Sequence, residues 1–406
     1  MIDYAFLTML IPKQIEREVD KLSIGNMQTA ANALQWKIYN GLCQNLERNV
    51  VLLNALPVGS YPQYYKKIKI KEFCFATEFG TGNINIGFCN VKLIRNYFQK
   101  RNILKALNKW MLSSSNDKVL FVYTLSLPFL SAIVKIKKVY SKLKVCAIVA
   151  DMPDMLNLST DKSIVQKKFE KWSADRVYHN IDSIDYFVLL TKYMAEYLKI
   201  NKPYIVMEGI ADDVSNLKPT RYDRKLKFVV YTGMLHKRFG IMDLVQAFML
   251  IGNSNYRLIL CGIGDAEADI IKSSKVDSRI VFKGQVSREE VLKIQADATV
   301  LVNPRKNTEL FTKYSFPSKT MEYLASGTPV VAYKLDGIPD EYDQFINYVP
   351  DNSIESLARI LTEICEKPES WRKEMGSRAR EFILRNKNCV VQTKKILDLI
   401  KIADNN

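Results

Sequence analysis

The sequence predicts an α/β protein made of two Rossmann-like, doubly wound domains facing a cleft. Three observations lead there. At 406 residues the chain is too long for one ordinary domain and about right for two. Short apolar runs of strand length alternate with longer helical patterns, which implies parallel sheets covered by helices on both faces. Near the middle, at 208–227, a polar, Pro-containing stretch interrupts the alternation.

The strands follow from apolar runs: Val50–Leu56, Val119–Tyr123, Val145–Ala150, Tyr186–Leu190, Phe228–Thr232, Tyr256–Cys261, Ile280–Phe282, Thr299–Val302 and Pro329–Tyr333. Continuous apolar runs suit strands buried on both faces. Helical patterns lie between many of them, as at Ile241–Ile251, Arg288–Gln295 and Ser318–Ala325. The expected division is an N-terminal domain over 1–207, a linker over 208–227 and a C-terminal domain over 228–387. A last helix at about 388–406 is free to pack back on the first domain. Ligands of such sheets bind outside the carboxyl ends of the strands.

Hydrophobic residues make up 48% and charged residues 25%, which excludes disordered and low-complexity classes. The net charge is +16. Residues 51–150 hold 16 basic and 3 acidic side chains, so the excess belongs to the first half. Such a balance points to a polyanionic partner. Seven scattered cysteines include no CxxC pair and read as small hydrophobes in a reducing cytoplasm. The first residues lack the basic start of a signal peptide. The longest uncharged run, Val119–Val134, has 16 residues and contains Pro128, too short for a spanning helix. A strand followed by a buried helix is expected there.

Four segments of the second half end predicted strands. Tyr231-Thr-Gly-Met-Leu-His-Lys-Arg-Phe-Gly240 offers Gly233 for close backbone approach and Lys237 and Arg238 for phosphate. An ordinary βα loop with exposed basic residues reads the same. Leu260-Cys-Gly-Ile-Gly-Asp265 places Gly262 and Gly264 in a Gly-x-Gly that fits a nucleotide loop or a tight turn. In Lys283-Gly-Gln-Val-Ser-Arg-Glu-Glu290, Ser287 and Glu290 form a capping box, leaving the backbone near Val286 for a ligand. In Ser315-Phe-Pro-Ser-Lys-Thr-Met-Glu322, Pro317 suits the first helical position and Gly327 the C-terminal cap. The first turn at Pro317 and Ser318 favours an anion. Lys319 and Glu322 share one face there, for phosphate and for ribose hydroxyls, or simply as an i,i+3 salt bridge.

Together these segments, from about Phe228 to Tyr348, resemble the nucleotide-sugar half of retaining glycosyltransferases of family four, which have the GT-B fold. The resemblance extends to Asp336-Gly-Ile-Pro-Asp-Glu341, similar to the family's second phosphate-side loop. It implies that Arg238 and Lys319 neutralise the donor diphosphate and that Glu322, matching the second glutamate of an E-x7-E signature, binds ribose. The backbone near Val286 would meet the base, and the loop through Tyr314, Ser315 and Phe316 would face the donor sugar. The chain departs from the family at Tyr314, which stands where the first glutamate is usual, and at Met234, where an arginine is common. Arg238 or Lys237 must then substitute. A subset of polysaccharide-assembly members, with R-(F/Y)-G and F-P-S-K, looks like this. The departures leave the donor-sugar contacts open.

In the first half, Ser23-Ile-Gly-Asn-Met-Gln-Thr-Ala-Ala-Asn32 looks like the family's N-terminal loop, with Gly25 beside the donor phosphates and Asn26 and Gln28 on the sugar side. A capped helix start explains it equally. Asp151 and Asp154, at the tip of the strand Val145–Ala150, can touch the sugar or an acceptor hydroxyl, or cap a helix. No Asp-x-Asp occurs in the chain, so no metal and no cofactor beyond the co-substrate is expected.

Basic residues cluster at Lys66, Lys67, Lys69 and Lys71, at Arg95, Lys100, Arg101, Lys105 and Lys109, and at Lys135, Lys137, Lys138, Lys142 and Lys144, interleaved with aromatics. Such helices suit an anionic membrane surface, or are solvated faces. The resemblance implies a nucleotide-sugar donor and a saccharide acceptor, often carried on a polyprenyl diphosphate at the inner leaflet. The expected protein is therefore a cytoplasmic, peripheral, metal-independent hexosyltransferase of cell-surface polysaccharide assembly. Two alternatives stand beside it: a GT-B-fold nucleotide-sugar epimerase, and a basic nucleic-acid-binding protein, which lacks any recognised reading module.

Overall fold

The computed structural model describes residues 1–25, 29–153, 164–211 and 225–405. Asn26, Gln28 and Asp154 lie outside the described residues. The chain divides into two units. One comprises Met1–Ile210 with Cys389–Asn406, and the other Ala211–Asn388.

The first unit contains β1 (Ile2–Thr8), β2 (Val51–Asn54), β3 (Lys69–Ile70), β4 (Phe73–Thr77), β5 (Gly80–Asn85), β6 (Phe88–Cys89), β7 (Asp117–Tyr123), β8 (Lys144–Val149), β9 (Tyr186–Leu189) and β10 (Tyr204–Val206). Eight of them form one sheet in the order β10-β9-β8-β7-β1-β2-β5-β4. It is parallel except at its edge, where β4 runs antiparallel to β5. β3 and β6 form a separate antiparallel pair. The helix Leu127–Val139 follows β7, so the uncharged run is a strand and a buried helix.

β7 starts two residues before its apolar run because the charge is satisfied. Buried Lys118 lies 2.7 Å from Asp3 on the neighbouring β1. Burial works against the Asp3 anion, yet hydrogen bonds from Lys118, Ser114 and Asn116 hold its pKa at about 2. The edge pair β4–β5 carries no apolar alternation in β5. There Asn83 accepts from Leu52 N–H at 2.9 Å, and Asn85 accepts from Asn54 at 2.9 Å. Side-chain amides thus replace the apolar pattern by which a strand is read.

The helix Cys389–Asn405 packs against Thr29–Leu46. A Cβ at Gly41 would collide with the Cys389 carbonyl. Asn45 secures the contact by donating to the Val390 carbonyl (2.8 Å) and Thr393 Oγ1 (2.9 Å).

The second unit holds β11 (Lys227–Thr232), β12 (Tyr256–Cys261), β13 (Ile280–Gly284), β14 (Val300–Asn303), β15 (Val330–Ala332) and β16 (Ile346–Tyr348). Every pairing is parallel, in the order β13-β12-β11-β14-β15-β16. This is the 3-2-1-4-5-6 order of a dinucleotide-binding sheet. The order reverses between β11 and β14, so the crevice at their carboxyl ends is where such a sheet takes its ligand. The inner strands β12, β11, β14 and β15 are buried on both faces, by two cores built around Val229, Leu258 and Val302 on one side and Val230, Ile259 and Leu301 on the other.

Candidate functional site

The loops after β11, β12 and β14 converge at the switch point. Leu235 N–H donates to the Ile263 carbonyl at 2.8 Å, and Gly233 N–H to Cys261 at 2.9 Å. Gly262 has φ 138°, and a Cβ there would run into the Gly233 carbonyl. A Cβ at Gly264 would strike Leu235. These two glycines therefore admit a neighbouring loop, which accounts for the Gly-x-Gly spacing without a ligand. Gly240, at φ 76°, turns the chain into the helix Ile241–Leu250, and a side chain there would collide with the Pro304 carbonyl after β14.

The adjacent cations Lys237 and Arg238 part company. Lys237 turns outward to Asp269 at 2.5 Å, a pairing that raises its pKa. His236 lies beside Asp265 at 3.5 Å. Arg238 instead stacks over Phe311, 4.6 Å from the ring centroid, and its nearest carboxylate oxygen, on Glu309, is 3.9 Å away. Its Nε is buried without a hydrogen-bond partner among the described residues.

The helix Ser318–Ser326 begins one residue later than its sequence suggests. Pro317 occupies the N-cap, with its carbonyl accepting from Thr320 N–H at 2.8 Å, and Gly327 ends the helix at φ 82°. Tyr323, fully buried, docks the helix on the end of β11: its hydroxyl accepts from Thr232 N–H (2.8 Å) and donates to the Thr232 carbonyl (3.0 Å). The preceding turn, Leu310–Tyr314, carries Tyr314, and Ser315 Oγ donates to the Phe311 carbonyl at 3.0 Å. Phe316 is buried against Tyr342, and Ser318 is exposed.

Glu322 stands one residue before Tyr323 and is the centre of the site. Its Oε1 accepts from Lys319 at 2.8 Å and from Gln295 at 2.5 Å, and its Oε2 from Arg288 at 2.5 Å. Burial pushes this carboxyl up, but the Lys319 and Arg288 charges and the Gln295 hydrogen bond prevail and bring it down to about 2. The salt bridge allowed by the i,i+3 spacing is formed, so Lys319 needs no bound anion to account for its position. Gln295 also donates to Thr232 Oγ1 at 2.7 Å, tying Glu322 to the tip of β11.

Arg288, Gln295 and Thr232 received no role from the sequence, because their partners lie 27 to 91 residues away. Arg288, directly after the capping serine, and Thr232, beside Gly233, sat in flagged segments, while Gln295 did not. Ser287 does cap its helix, accepting from Glu290 N–H at 3.2 Å, while the Glu290 side chain pairs with Lys283 instead of completing the box. Val286, half-buried just before the cap, packs on the core beneath β11. The loop Asp336–Glu341 rests on the same turn, since a Cβ at Gly337 would strike the Ser315 carbonyl. Its Glu341 pairs with buried Lys387 at 2.5 Å.

In the first unit, Gly25 has φ 96° with open space beside it. Asp151 follows β8 with an exposed surface, though the protein around the strand tip pushes its carboxyl above the usual range. The basic clusters separate on inspection. Lys137 is held by Asp185 at 2.6 Å and Lys67 by Glu18 at 2.6 Å. Arg101, Lys105, Lys109, Lys135, Lys138 and Lys142 are exposed on or beside the packed helices Arg95–Met111 and Leu127–Val139. Burial, then Lys135 and Arg176, depress the Lys100 pKa, so three cations converge there. No helix among the described residues is long and apolar enough to cross a membrane.

Residues 227–367 match the family model described as Glycosyl transferases group 1. A search of curated proteins found no match. Among solved structures, a sucrose-phosphate synthase from Thermosynechococcus elongatus superposes with TM-score 0.65 at 14% identity, over 100% of both chains. An α,α-trehalose 6-phosphate synthase from Burkholderia multivorans does so with TM-score 0.64 at 12% identity, again over 100% of both. A TarM variant from S. aureus, in complex with fondaparinux, α-GlcNAc-glycerol and UDP, has TM-score 0.52 at 14% identity, over 84% of this chain and 66% of that one. The fold is α/β and GT-B, with two Rossmann-like units, and the match to the group 1 glycosyltransferase model lies within the second.

Proposed function

We propose that this protein is a retaining, metal-independent glycosyltransferase of family-four type. It moves a hexose from a nucleotide-diphosphate sugar, with uridine or guanosine as base, to a saccharide acceptor. The observation that carries this reading is the partly buried Glu322 carboxylate, pinned by Lys319, Arg288 and Gln295 beside the end of β11, inside the segment that matches the glycosyltransferase model. A carboxylate held ionised and oriented suits two vicinal ribose hydroxyls, while Arg238 faces developing diphosphate charge. Lys237, occupied by Asp269, is the weaker candidate of the basic pair.

In the reaction, an acceptor hydroxyl attacks the anomeric carbon from the face that the diphosphate leaves. The new glycosidic bond forms as the anomeric C–O bond to phosphate breaks, and the proton passes to a phosphate oxygen of the leaving group. Arg238 and Lys319 stabilise that leaving charge, and Asp151 is the acceptor-side carboxylate of the first unit. The absence of Asp-x-Asp from the sequence supports charge stabilisation by side chains rather than by a bridging metal.

The exposed cations around Lys100, Lys135 and Arg176, with Leu93 92% and Tyr97 63% exposed nearby in sequence, support docking on an anionic membrane surface. A polyprenyl-diphosphate-linked acceptor of cell-surface polysaccharide assembly, at the inner face of the cell membrane, fits that surface. The test is a thermal-shift screen of nucleoside diphosphates and their sugars, followed by product analysis by NMR with and without saccharide acceptors. Stabilisation by one diphosphate and transfer only with acceptor support the reading. Epimerised donor without acceptor would replace it with an epimerase, and no response to any nucleotide would end it. Flotation with anionic liposomes tests the membrane surface.

A further inference from the structure

The residue after Pro304 was not singled out by any sequence motif. Arg305 leaves the end of β14 at the point where the strand order reverses against β11. Its guanidinium stacks over Phe239, 4.2 Å from the ring centroid, and lies 5.4 Å from the centroid of Phe311. Arg238 lies over the same two rings, at 4.6 Å from Phe311 and 5.7 Å from Phe239. The rings themselves meet edge to face, 6.3 Å apart. Two arginines from two different loops are thus held beside one aromatic wall, which fixes planar guanidinium groups without consuming their donors.

Like charges brought together on a half-buried surface are costly unless something offsets them. The neighbouring cations are offset: Lys306 reaches Asp243 at 2.6 Å, and Lys237 reaches Asp269. Arg305 has no carboxylate within 4.0 Å among the described residues, and Arg238 has only exposed Glu309 at the limit, with its Nε unpartnered. Burial depresses the Arg305 pKa, Tyr231 opposes that depression, and Arg238 adds to it, so the two cations feel each other.

We propose that Arg305 is the second arm of a two-arginine clamp, in which Arg238 and Arg305 together grip the two phosphate groups of a diphosphate. The inference rests on the glycosyltransferase reading for its natural ligand, the diphosphate of the donor, but the clamp is a property of these side chains and can be tested without a sugar. Each arginine offers paired donors to one phosphate, a geometry that a single phosphate cannot fully use.

Calorimetric titration of the full chain with inorganic pyrophosphate, UDP, GDP, UMP and GMP, using wild type, Arg305→Gln and Arg305→Lys, decides the matter. The expected result is a loss of roughly ten- to hundredfold in pyrophosphate and nucleoside diphosphate affinity for Arg305→Gln. Nucleoside monophosphate affinity should change much less, and Arg305→Lys, which keeps the charge without the fork, should lose an intermediate amount. Equal losses for mono- and diphosphates, or no loss, overturn the clamp while leaving the nucleotide reading intact. Pyrophosphate binding that depends on Arg305, with no binding of any nucleotide, upholds the clamp and overturns the nucleotide reading. A wild type that binds neither overturns both. Unfolding of Arg305→Gln leaves the decision to Arg305→Lys, whose unchanged affinity would count against the clamp.

Discussion

Two charged clusters sit at the carboxyl end of the second sheet and solve opposite problems. Around Glu322 every charge has a partner: one carboxylate receives Lys319, Arg288 and Gln295, and its pKa falls to about 2. Around Phe239 and Phe311, Arg238 and Arg305 share rings but have almost no counter-charge. The first cluster is complete by itself, so a ligand must compete with internal partners. The second is completed only by an anion. Stability and function should therefore come apart between them, since unsatisfied groups at a site cost stability that a ligand restores.

The largest effect is expected for Glu322→Ala, which should abolish turnover and also destabilise the unit by about 2 kcal/mol or more. Gln295 would keep Thr232 Oγ1 but lose its other acceptor, and its own Oε1 already has no partner among the described residues. Activity assays alongside thermal unfolding measure both losses, and unchanged turnover would remove Glu322 from the site. Arg238→Ala should lower turnover roughly 100-fold or more with the unfolding temperature nearly unchanged. A fall as large as that of Glu322→Ala would erase the contrast between the clusters.

Acid titration sharpens the same contrast. The folded pKa of Glu322 is about 2, below its ordinary value of 4.5. Its ionised form therefore stabilises the fold above pH 4.5, and that contribution is lost as pH falls from 4.5 towards 2. The gap in unfolding temperature between wild type and Glu322→Gln should be widest near neutrality and close across that window. A gap independent of pH would show that packing, not charge, sets the difference.

Smaller effects complete the series. Arg288→Ala frees Glu322 Oε2 and should tighten nucleotide binding by roughly two- to fivefold, the scale of a half-exposed ion pair. Weaker binding would mean that Arg288 itself touches the ligand. Ser287→Ala removes only a helix cap, costing about 1 kcal/mol and roughly 2–4 °C in unfolding temperature, without altering affinity.

Much of the frame is legible in the residues. Apolar runs locate β8, β9, β11, β12 and β14 within a residue or two, because a strand buried on both faces must be apolar throughout. The β4–β5 pair escapes such reading, since its interior is satisfied by Asn83 and Asn85 rather than by hydrophobes. Pro317 reads as a first helical residue and proves to be the cap, a one-residue difference fixed by its ψ of 96°. Lys319 and Glu322 are visible because they share one turn of one helix. Arg288, Gln295 and Arg305 are not, because nothing local marks their partners.

The sequence alone therefore determined the α/β class, the short helix carrying Lys319 and Glu322, and a net charge of +16 concentrated in residues 51–150. Each of these depends on neighbours along the chain or on composition, where periodicity and capping act. The tertiary structure decided which cations are neutralised and which keep little or no counter-charge. Lys237 and Lys306 find carboxylates, while Arg238 and Arg305 find each other and two phenylalanines. That sorting is set by which loops the 3-2-1-4-5-6 strand order brings side by side, and electrostatic energy depends on distance in space rather than separation in sequence.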